Sequence, residues 1–293
     1  MIRYPILESQ LRQRIEELRP GWLVRAGEKT EAFRAAGRYD ESSGSWSEIK
    51  ETYMRLQGFK CGFCERRLEK SAYGNIEHDV EHFRPKAKVK TWPTDTDRVD
   101  RGIDFTFPLG DDADPGYFLL AYGLENYLIS CKSCNSRLKA NFFPIADTRV
   151  VDGDRSRNLN DEMAFLIYPI GARDTDPEDL ITFRGILPIP VATKGHSRRR
   201  AEVTIRFFEL DTREVLLEER AAIILQLHVA MSAVGHPDPL TRDTASATVD
   251  RMVDRHSPHS NCARAFHDLW LSDNVLAREF VEGALGYLET VVG

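Results

Sequence analysis

Residues 124–139 read Leu124-Glu-Asn126-Tyr-Leu-Ile-Ser-Cys131-Lys-Ser-Cys134-Asn135-Ser-Arg-Leu-Lys139. It contains a Cys-x-x-Cys pair, and the same spacing occurs earlier, at Cys61-Gly-Phe-Cys64. Each pair can bend into a tight turn that places two thiolates on one side, so two pairs complete a tetrahedral sulfur shell suited to Zn²⁺. Because this shell has no open position for a substrate, we expect a structural zinc ion on Cys61, Cys64, Cys131 and Cys134.

Buried apolar cysteines are the alternative interpretation of these thiols. Two pairs at identical spacing favour the metal site over that alternative. The fifth cysteine of the chain, Cys262, stands alone in a helical segment, and we interpret it as a core thiol. The binding energy of a structural zinc ion, roughly 10–16 kcal/mol in small zinc peptides, would become folding energy for the segment between the pairs.

Composition indicates an ordinary globular protein. The chain has 293 residues, of which 42% are hydrophobic, and 40 Lys plus Arg against 46 Asp plus Glu give a net charge of −6. These values exclude disorder and a miniature cystine scaffold. No apolar leader and no apolar run of about 18 residues occurs, which predicts a cytoplasmic protein without a membrane segment. The acidic charge argues against non-specific coating of nucleic acid, but it leaves room for a nuclease with a local basic groove.

Hydrophobic periodicity predicts an α+β chain with a mainly helical, mixed C-terminal half. A change of pattern predicts two domains, residues 1–150 and 151–293, with an Asp-rich surface loop between residues 95 and 114. Helices are predicted at Glu8–Arg19, Ser47–Gln57, Thr248–Asp254, Asn261–Leu271 and Val275–Val291, on a short segment that bears Asn135 and Lys139, and from a capping box at Asp211–Glu214 through Met231. Strands are predicted at Ala164–Pro169, Ile181–Arg184 and Val203–Phe208.

Two Glu-His pairs lie between the cysteine pairs, in Gly74-Asn-Ile-Glu-His78-Asp-Val-Glu81-His82-Phe-Arg-Pro-Lys86. As a strand, this stretch places His78 and His82 on one face and Glu81 on the other. As a helix it would put both histidines on one face, but Asp79 stands where a zinc protease motif has Glu, and Pro85 would end the helix. These two residues argue against the zinc protease interpretation, and we expect a strand.

A Cys-x-x-Cys, a carboxylate-His pair and then Glu-Asn-x-x-x-x-Cys-x-x-Cys-Asn with a following Lys occur in this order. The combination resembles the zinc-knuckled HNH endonucleases of the His-Me finger, or ββα-metal, class over residues 61–144. The motifs Cys64-Glu65, Glu81-His-Phe-Arg-Pro-Lys86 and Asn141-Phe-Phe-Pro144 look most like the nuclease subunit of Septu-type anti-phage defence and its retron-associated relatives. The resemblance implies a ββα-metal core stapled by the four-cysteine zinc site and preceded by N-terminal helices.

The resemblance also implies roles for single residues. His82 would be the general base, Asn126 would brace the hairpin, and Asn135 stands where the last His of the HNH motif usually lies. Glu81 stands where that family usually has Asp, and Glu81 with Asn135 would hold a catalytic Mg²⁺ or Mn²⁺, which prefers oxygen ligands. A neutral imidazole can deprotonate water near neutral pH, which phosphodiester hydrolysis requires. His78 would have a structural or metal-supporting role, and the role of the Asp-rich insertion is open.

Basic residues follow the proposed base at every second position, which places them on one side of an extended chain. Such a row could contact a phosphate backbone, although alternating Lys residues also occur on ordinary solvated surfaces. The nucleic-acid contacts predicted from this pattern and from the segment after the second cysteine pair are Arg84, Lys86, Lys88 and Lys139.

The sequence thus predicts a metal-dependent endonuclease that cleaves DNA, with RNA not excluded as substrate. The resemblance implies a defence effector that works beside an ATPase partner subunit, and docking onto that partner or onto a second copy would govern access to His82. A zinc-stabilised module that binds nucleic acid or protein without cutting is the alternative, and it predicts that His82 is replaceable without loss.

Overall fold

The structure is a computed structural model that describes residues 1–41, 44–70, 74–152 and 159–292. It divides into two compact units. The N-terminal unit consists of Tyr4–Cys61 and Leu68–Thr175, and the C-terminal unit consists of Met1–Arg3, Gly62–Arg67 and Asp176–Gly293. The sequence pattern changes near residue 150, whereas the division of the structure falls at Thr175, so the segment that follows residue 150 belongs to the N-terminal unit.

Over the described residues the fold is mixed α+β, with long helices and two small sheets. In chain order the α-helices are α1 (Glu8–Leu18), α2 (Trp22–Ala36), α3 (Lys50–Leu56), α4 (Gly74–Glu77), α5 (Asp95–Arg101), α6 (Pro177–Leu180), α7 (Gly195–Phe207), α8 (Glu214–Ala233), α9 (Pro239–Val253), α10 (Ser260–Ser272) and α11 (Asn274–Val292). None of the described helices combines the length and apolar composition that crossing a bilayer requires.

Each sheet is an antiparallel pair of strands. β1 (His78–His82) pairs with β2 (Tyr127–Cys131), so that His78 lies opposite Cys131 and His82 opposite Tyr127. β3 (Ile181–Arg184) pairs with β4 (Leu187–Pro190) through a tight turn. A π-helical segment, Ser133–Lys139, follows β2 almost directly. The N-terminal unit therefore contains a two-stranded sheet followed by a helical segment, which positions the site described below.

Helix α3 and the residue after it hold β2 in place. Tyr53 is fully buried and its hydroxyl donates to the Leu124 carbonyl at 2.7 Å. The amide of Gln57, also fully buried, accepts from the Ile129 N–H at 2.7 Å and donates to the Ile129 carbonyl at 2.9 Å. Gln57 thus satisfies both backbone groups that the edge of β2 would otherwise leave unpaired in the core.

Most helices predicted from periodicity are confirmed within a few residues, and helix α2 was missed. The predicted strand at Val203–Phe208 is wrong, because these residues belong to α7 and its end. An apolar run of six residues is too short for its periodicity to distinguish a buried strand from a buried helix. In the structure, α7 buries Val203, Thr204 and Phe207 at helical spacing. The predicted strand at Ala164–Pro169 is also wrong, since only an isolated bridge joins Ala164 to Ile145.

Two helix starts differ from the sequence prediction. The expected capping box at Asp211–Glu214 is absent, because helix α8 begins after Arg213 with no side-chain cap and Asp211 pairs with Arg206 at 3.2 Å. Helix α9 begins at Pro239, where Asp238 accepts from the Thr241 N–H at 2.9 Å, well before the predicted start. The Asp-rich stretch is not a loop throughout, since it contains the capped helix α5.

Candidate active site and metal centre

The four paired cysteines form one cluster. One ligand atom from each of Cys61, Cys64, Cys131 and Cys134 lies within 4.8 Å of the others, and all four residues are buried. Local sequence explains this arrangement, because Cys61 and Cys64 flank a tight turn, Cys131 ends β2 and Cys134 lies in the helical segment that follows. Four thiols at this separation could hold a metal ion such as zinc. Cys262 lies outside the cluster, is fully buried and donates to the Gly185 carbonyl at 3.7 Å, which confirms a core thiol.

A polar cleft lies at the end of β1. Its volume is about 270 Å³. Three residues that the sequence analysis singled out for catalysis or metal binding line it together: Glu81, His82 and Asn135. The rest of the lining is formed by Trp46, Val80, Pro85, Lys86, Ala87, Ser136, Ala140 and Asn141. The cleft is thus formed by β1, by the bend that follows it and by the helical segment after β2.

His82 is held in one orientation. Its Nε2 lies 3.0 Å from the Ala121 carbonyl oxygen, and its ring meets Trp46 and Tyr127 edge-on, with centroids 4.8 and 5.1 Å away. Because a carbonyl oxygen only accepts, Nε2 carries the proton and Nδ1 keeps the lone pair. Burial, together with the Lys86 charge, holds the pKa of His82 well below its ordinary value. The imidazole is therefore neutral near pH 7 and able to accept a proton.

Glu81 is buried beside a buried lysine. Its Oε1 lies 3.2 Å from Lys139 Nζ, and the lysine side chain is fully buried. Burial raises the pKa of Glu81 to about 7, although the Lys139 ammonium acts in the opposite direction. Lys139, which the sequence analysis assigned to nucleic-acid contact, lies inside the protein against this carboxylate.

Asn126 lies behind the cleft rather than in it. Its Oδ1 accepts from the Arg84 N–H at 2.7 Å, and its Nδ2 donates to the carbonyls of Arg84 and Leu120 at 2.9 and 3.2 Å. The residue is almost fully buried. It joins the entry of β2 to the chain that leaves β1.

Asn135 faces the cleft from the helical segment. Its Nδ2 donates to Asp79 Oδ2 at 2.9 Å, and Lys132 binds the other oxygen of that carboxylate at 2.5 Å. The contact fixes the amide so that Oδ1 is the atom left to bind a ligand. Asp79 is a residue whose role the sequence analysis did not identify, because its partners come from a segment far away along the chain.

The basic row after β1 is not extended, and its members point to different places. The Arg84 guanidinium pairs with the fully buried Glu162 at 3.0 Å. Lys86 lines the cleft, with its Nζ 4.5 Å from the Trp46 ring centroid. Lys88 is exposed and lies 3.7 Å from Asp114. Bends at residues 83, 84, 86 and 87 rotate the side chains, so alternation in sequence does not give one face.

His78 lies at the opposite end of β1 from the cleft. It is fully buried, and its Nε2 lies 2.9 Å from the Glu69 carbonyl oxygen. Its ring is not part of the cleft lining. Trp46, by contrast, is a cleft residue that sequence reasoning missed, since it lies outside every recognised motif and no spacing rule points to it.

The fold and site define a mixed α+β protein with a four-cysteine cluster. The chain is a distant homologue of Septu protein PtuB of Bacillus mycoides (strain KBAB4), with 29% identity over 178 residues. The match covers 60% of this chain and 50% of that protein, so the chain spans about half the length of this curated relative. No family model matches the chain, and no solved structure gives a significant match.

Proposed function

We propose that this protein is a metal-dependent HNH endonuclease that hydrolyses phosphodiester bonds of DNA as the effector of an anti-phage defence system. The observation that carries the proposal is the convergence of Glu81, His82 and Asn135 on one cleft at the end of β1. The similarity to Septu protein PtuB supports the defence role.

His82 is suited to act as general base. The hydrogen bond from Nε2 to Ala121 leaves Nδ1 as the basic atom, and burial keeps the ring neutral near pH 7. A neutral imidazole that lines a cleft can take a proton from a water molecule as the water attacks phosphorus. Fixing the ring between Trp46 and Tyr127 reduces the reorganisation that the proton transfer requires.

Glu81 and Asn135 would hold the catalytic divalent ion. A buried carboxylate and an amide oxygen in one cleft are oxygen donors of the kind that Mg²⁺ and Mn²⁺ prefer, with water completing the shell. When bound, the ion would stabilise the charge that develops on the phosphate and on the leaving oxygen. Asp79 contributes indirectly, because it fixes the Asn135 amide.

The cysteine cluster would hold zinc in a structural role. All four thiols are buried, Cys134 belongs to the helical segment that lines the cleft, and Cys131 ends β2, the partner strand of β1. Ligation by zinc would tie the end of β2 and the start of the helical segment to the first cysteine pair.

Lys86 and Lys88 are the residues that we propose contact the DNA substrate. Lys86 lines the cleft and Lys88 is exposed, so both ammonium groups could meet phosphates. Arg84 and Lys139 act differently, since each lies against a buried acidic side chain, Glu162 and Glu81 respectively. We assign these two residues to the scaffold and to the Glu81 site.

An ATPase subunit or a second copy of the chain is the proposed partner. The C-terminal unit would provide the docking surface, because helices α8 and α9 expose apolar side chains at Val229 and Leu240. In this proposal docking governs access to His82.

Cleavage of supercoiled plasmid in Mn²⁺, compared with the His82→Ala variant, tests the proposal. We expect the substitution to lower cleavage about 10²–10⁴-fold while circular dichroism and zinc content stay unchanged, since a general base contributes about that much. Asn135→Ala should act through metal affinity, so high Mn²⁺ should restore part of its activity. If His82→Ala cleaves as the parent does, His82 is not the general base. If the parent itself does not cleave, the protein is a zinc-stabilised binding module.

A further inference from the structure

Trp46 forms one wall of the cleft although it comes from the N-terminal helices. It begins a 3₁₀ turn, Trp46–Ile49, just before α3. Its indole meets the His82 ring edge-on at 87°, with a centroid distance of 4.8 Å. The side chain is half-buried, whereas Trp22 and Trp92 in the same unit are 1% and 2% exposed. Trp46 is therefore placed at the surface of the cleft and not in the core.

Lys86 lies on the same wall and is held by aromatic rings. Its Nζ is 4.5 Å from the Trp46 centroid and 5.2 Å from the Tyr39 centroid. Within the part of the chain that the structure describes, no carboxylate forms an ion pair with it. An ammonium held by aromatic faces keeps its charge available, because the ring quadrupole attracts the cation without neutralising it.

We propose that Trp46 is a positioning residue that fixes two groups in one cleft wall: the Lys86 ammonium, which binds a substrate phosphate, and the His82 imidazole beside it. The proposal rests on the proposed function and adds a residue that lies outside the cysteine and histidine motifs. The ligand group is a phosphate of the DNA backbone, which a single lysine ammonium binds as a point charge.

Preorganisation is the physical reason for this arrangement. A free lysine side chain loses conformational entropy when it binds a phosphate, and that loss weakens binding. Contacts with Trp46 and Tyr39 restrict Lys86 before substrate arrives. The edge contact between Trp46 and His82 ties the position of the base to that of the cation.

Gly44 provides a second way to perturb Trp46. A Cβ added at residue 44 would overlap the ring atoms Cζ3, Cη2 and Cε3 of Trp46. Gly44→Ala therefore forces the indole to move while every aromatic and basic side chain of the wall is retained. A positioning role predicts that Gly44→Ala resembles Trp46→Leu in its kinetics.

Steady-state cleavage kinetics separate the two actions of Trp46. We expect Lys86→Gln to raise KM about tenfold with little change in kcat, and Trp46→Leu to raise KM similarly and also to lower kcat. Trp46→Phe, which keeps a ring, should recover most of both losses. In the double variant Trp46→Leu/Lys86→Gln, KM should rise no further than in Lys86→Gln, because both substitutions remove one interaction.

Trp270 offers a matched control. It is also half-buried and meets a histidine, His228, with a centroid distance of 5.1 Å. Trp270→Leu should leave KM and kcat unchanged. Additive KM effects in the double variant, or equal losses from Trp46→Phe and Trp46→Leu, would overturn the positioning role.

Equilibrium binding of DNA tests this proposal independently of the nuclease assignment. Anisotropy of a labelled DNA duplex, measured with the His82→Ala protein over a salt series, reports phosphate contact without cleavage. The slope of log affinity against log salt concentration is the salt slope. Adding Lys86→Gln or Trp46→Leu should lower its magnitude by about one. Unchanged slopes would refute the proposal even if the parent is a nuclease, and lowered slopes would support it even if the parent does not cleave.

Discussion

The Asn126 side chain binds both backbone groups of Arg84, accepting from its N–H at 2.7 Å and donating to its carbonyl at 2.9 Å. Asn126 precedes β2 and Arg84 follows β1, so one amide connects two segments that lie 42 positions apart. The contact fixes the bend at which the chain leaves the strand that carries His82.

Asn126→Ala should lower the free energy of unfolding by about 2–4 kcal/mol, because two or three buried backbone groups lose their partners. Cleavage should fall as well, through displacement of the bend after His82, and high Mn²⁺ should not restore it. Urea denaturation and a Mn²⁺ titration of activity measure the two effects. Full rescue by Mn²⁺ would show instead that Asn126 acts on the metal.

Arg84→Ala should destabilise the fold and leave the salt dependence of DNA binding unchanged. Its guanidinium pairs with Glu162, which is fully buried and also accepts from the Tyr117 hydroxyl at 2.7 Å. Loss of one partner of a buried pair costs about 3–5 kcal/mol. Lys86→Gln is the comparison, with the opposite pattern: normal thermal stability and a smaller salt slope. A normal melting temperature for Arg84→Ala would contradict the scaffold role.

Natively purified protein should contain one zinc ion per chain, retained in mild EDTA because a closed tetrathiolate site exchanges slowly. Cys131→Ser should unfold the N-terminal unit rather than only slow cleavage, since metal binding contributes folding energy. Cys262→Ser, which removes a thiol outside the cluster, should retain the zinc. Elemental analysis and circular dichroism provide the readouts, and absence of zinc from the parent would contradict the assignment.

Acid should destabilise the C-terminal unit through His259 and Glu219, whose side chains lie 2.7 Å apart. Burial lowers the pKa of His259 to about 4. Burial would raise the pKa of Glu219, but hydrogen bonds from His259 and Arg66 lower it to about 2. These two groups therefore bind more protons in the unfolded chain than in the folded chain once the pH falls below about 6.5, the ordinary value for His.

The contribution of this pair to stability should thus decrease from about pH 6.5 downward, first through His259 and then, below about pH 4.5, through Glu219. Urea melts at a series of pH values test this order. In His259→Gln the loss between about pH 6.5 and 4 should shrink. A His259→Gln protein with the same pH dependence as the parent would contradict the assignment.

Features that depend on a single short segment could be predicted from the sequence. The four cysteines were expected to cluster because each Cys-x-x-Cys spacing places two thiols on one turn. The strand β1 was expected at the two Glu-His pairs, where Asp79 and Pro85 argued against a zinc protease motif. Asn135 and Lys139 were predicted on a short helix because their spacing is about one helical turn.

Contacts between segments that lie far apart in the sequence could not be predicted. Nothing near Lys139 in sequence shows that it is buried against Glu81, and nothing near Trp46 shows that it meets His82. Alternation predicted that Arg84 and Lys86 share a face, but the backbone bends between them, so one binds a buried carboxylate and the other an aromatic ring. Side-chain direction depends on backbone angles that composition does not specify.

The pairing of β1 with β2 places His78 opposite Cys131 and His82 opposite Tyr127, so the cysteine cluster lies at one end of the ladder and the cleft at the other. A slip of one residue in such a pair would turn every side chain to the opposite face. A metal bound to Cys131 and Cys134 would fix β2 at one end, and with it the partner of each residue in β1. The cluster would therefore determine which side chain of β1 reaches the cleft, a contribution to accuracy of folding that a stability measurement alone would not detect.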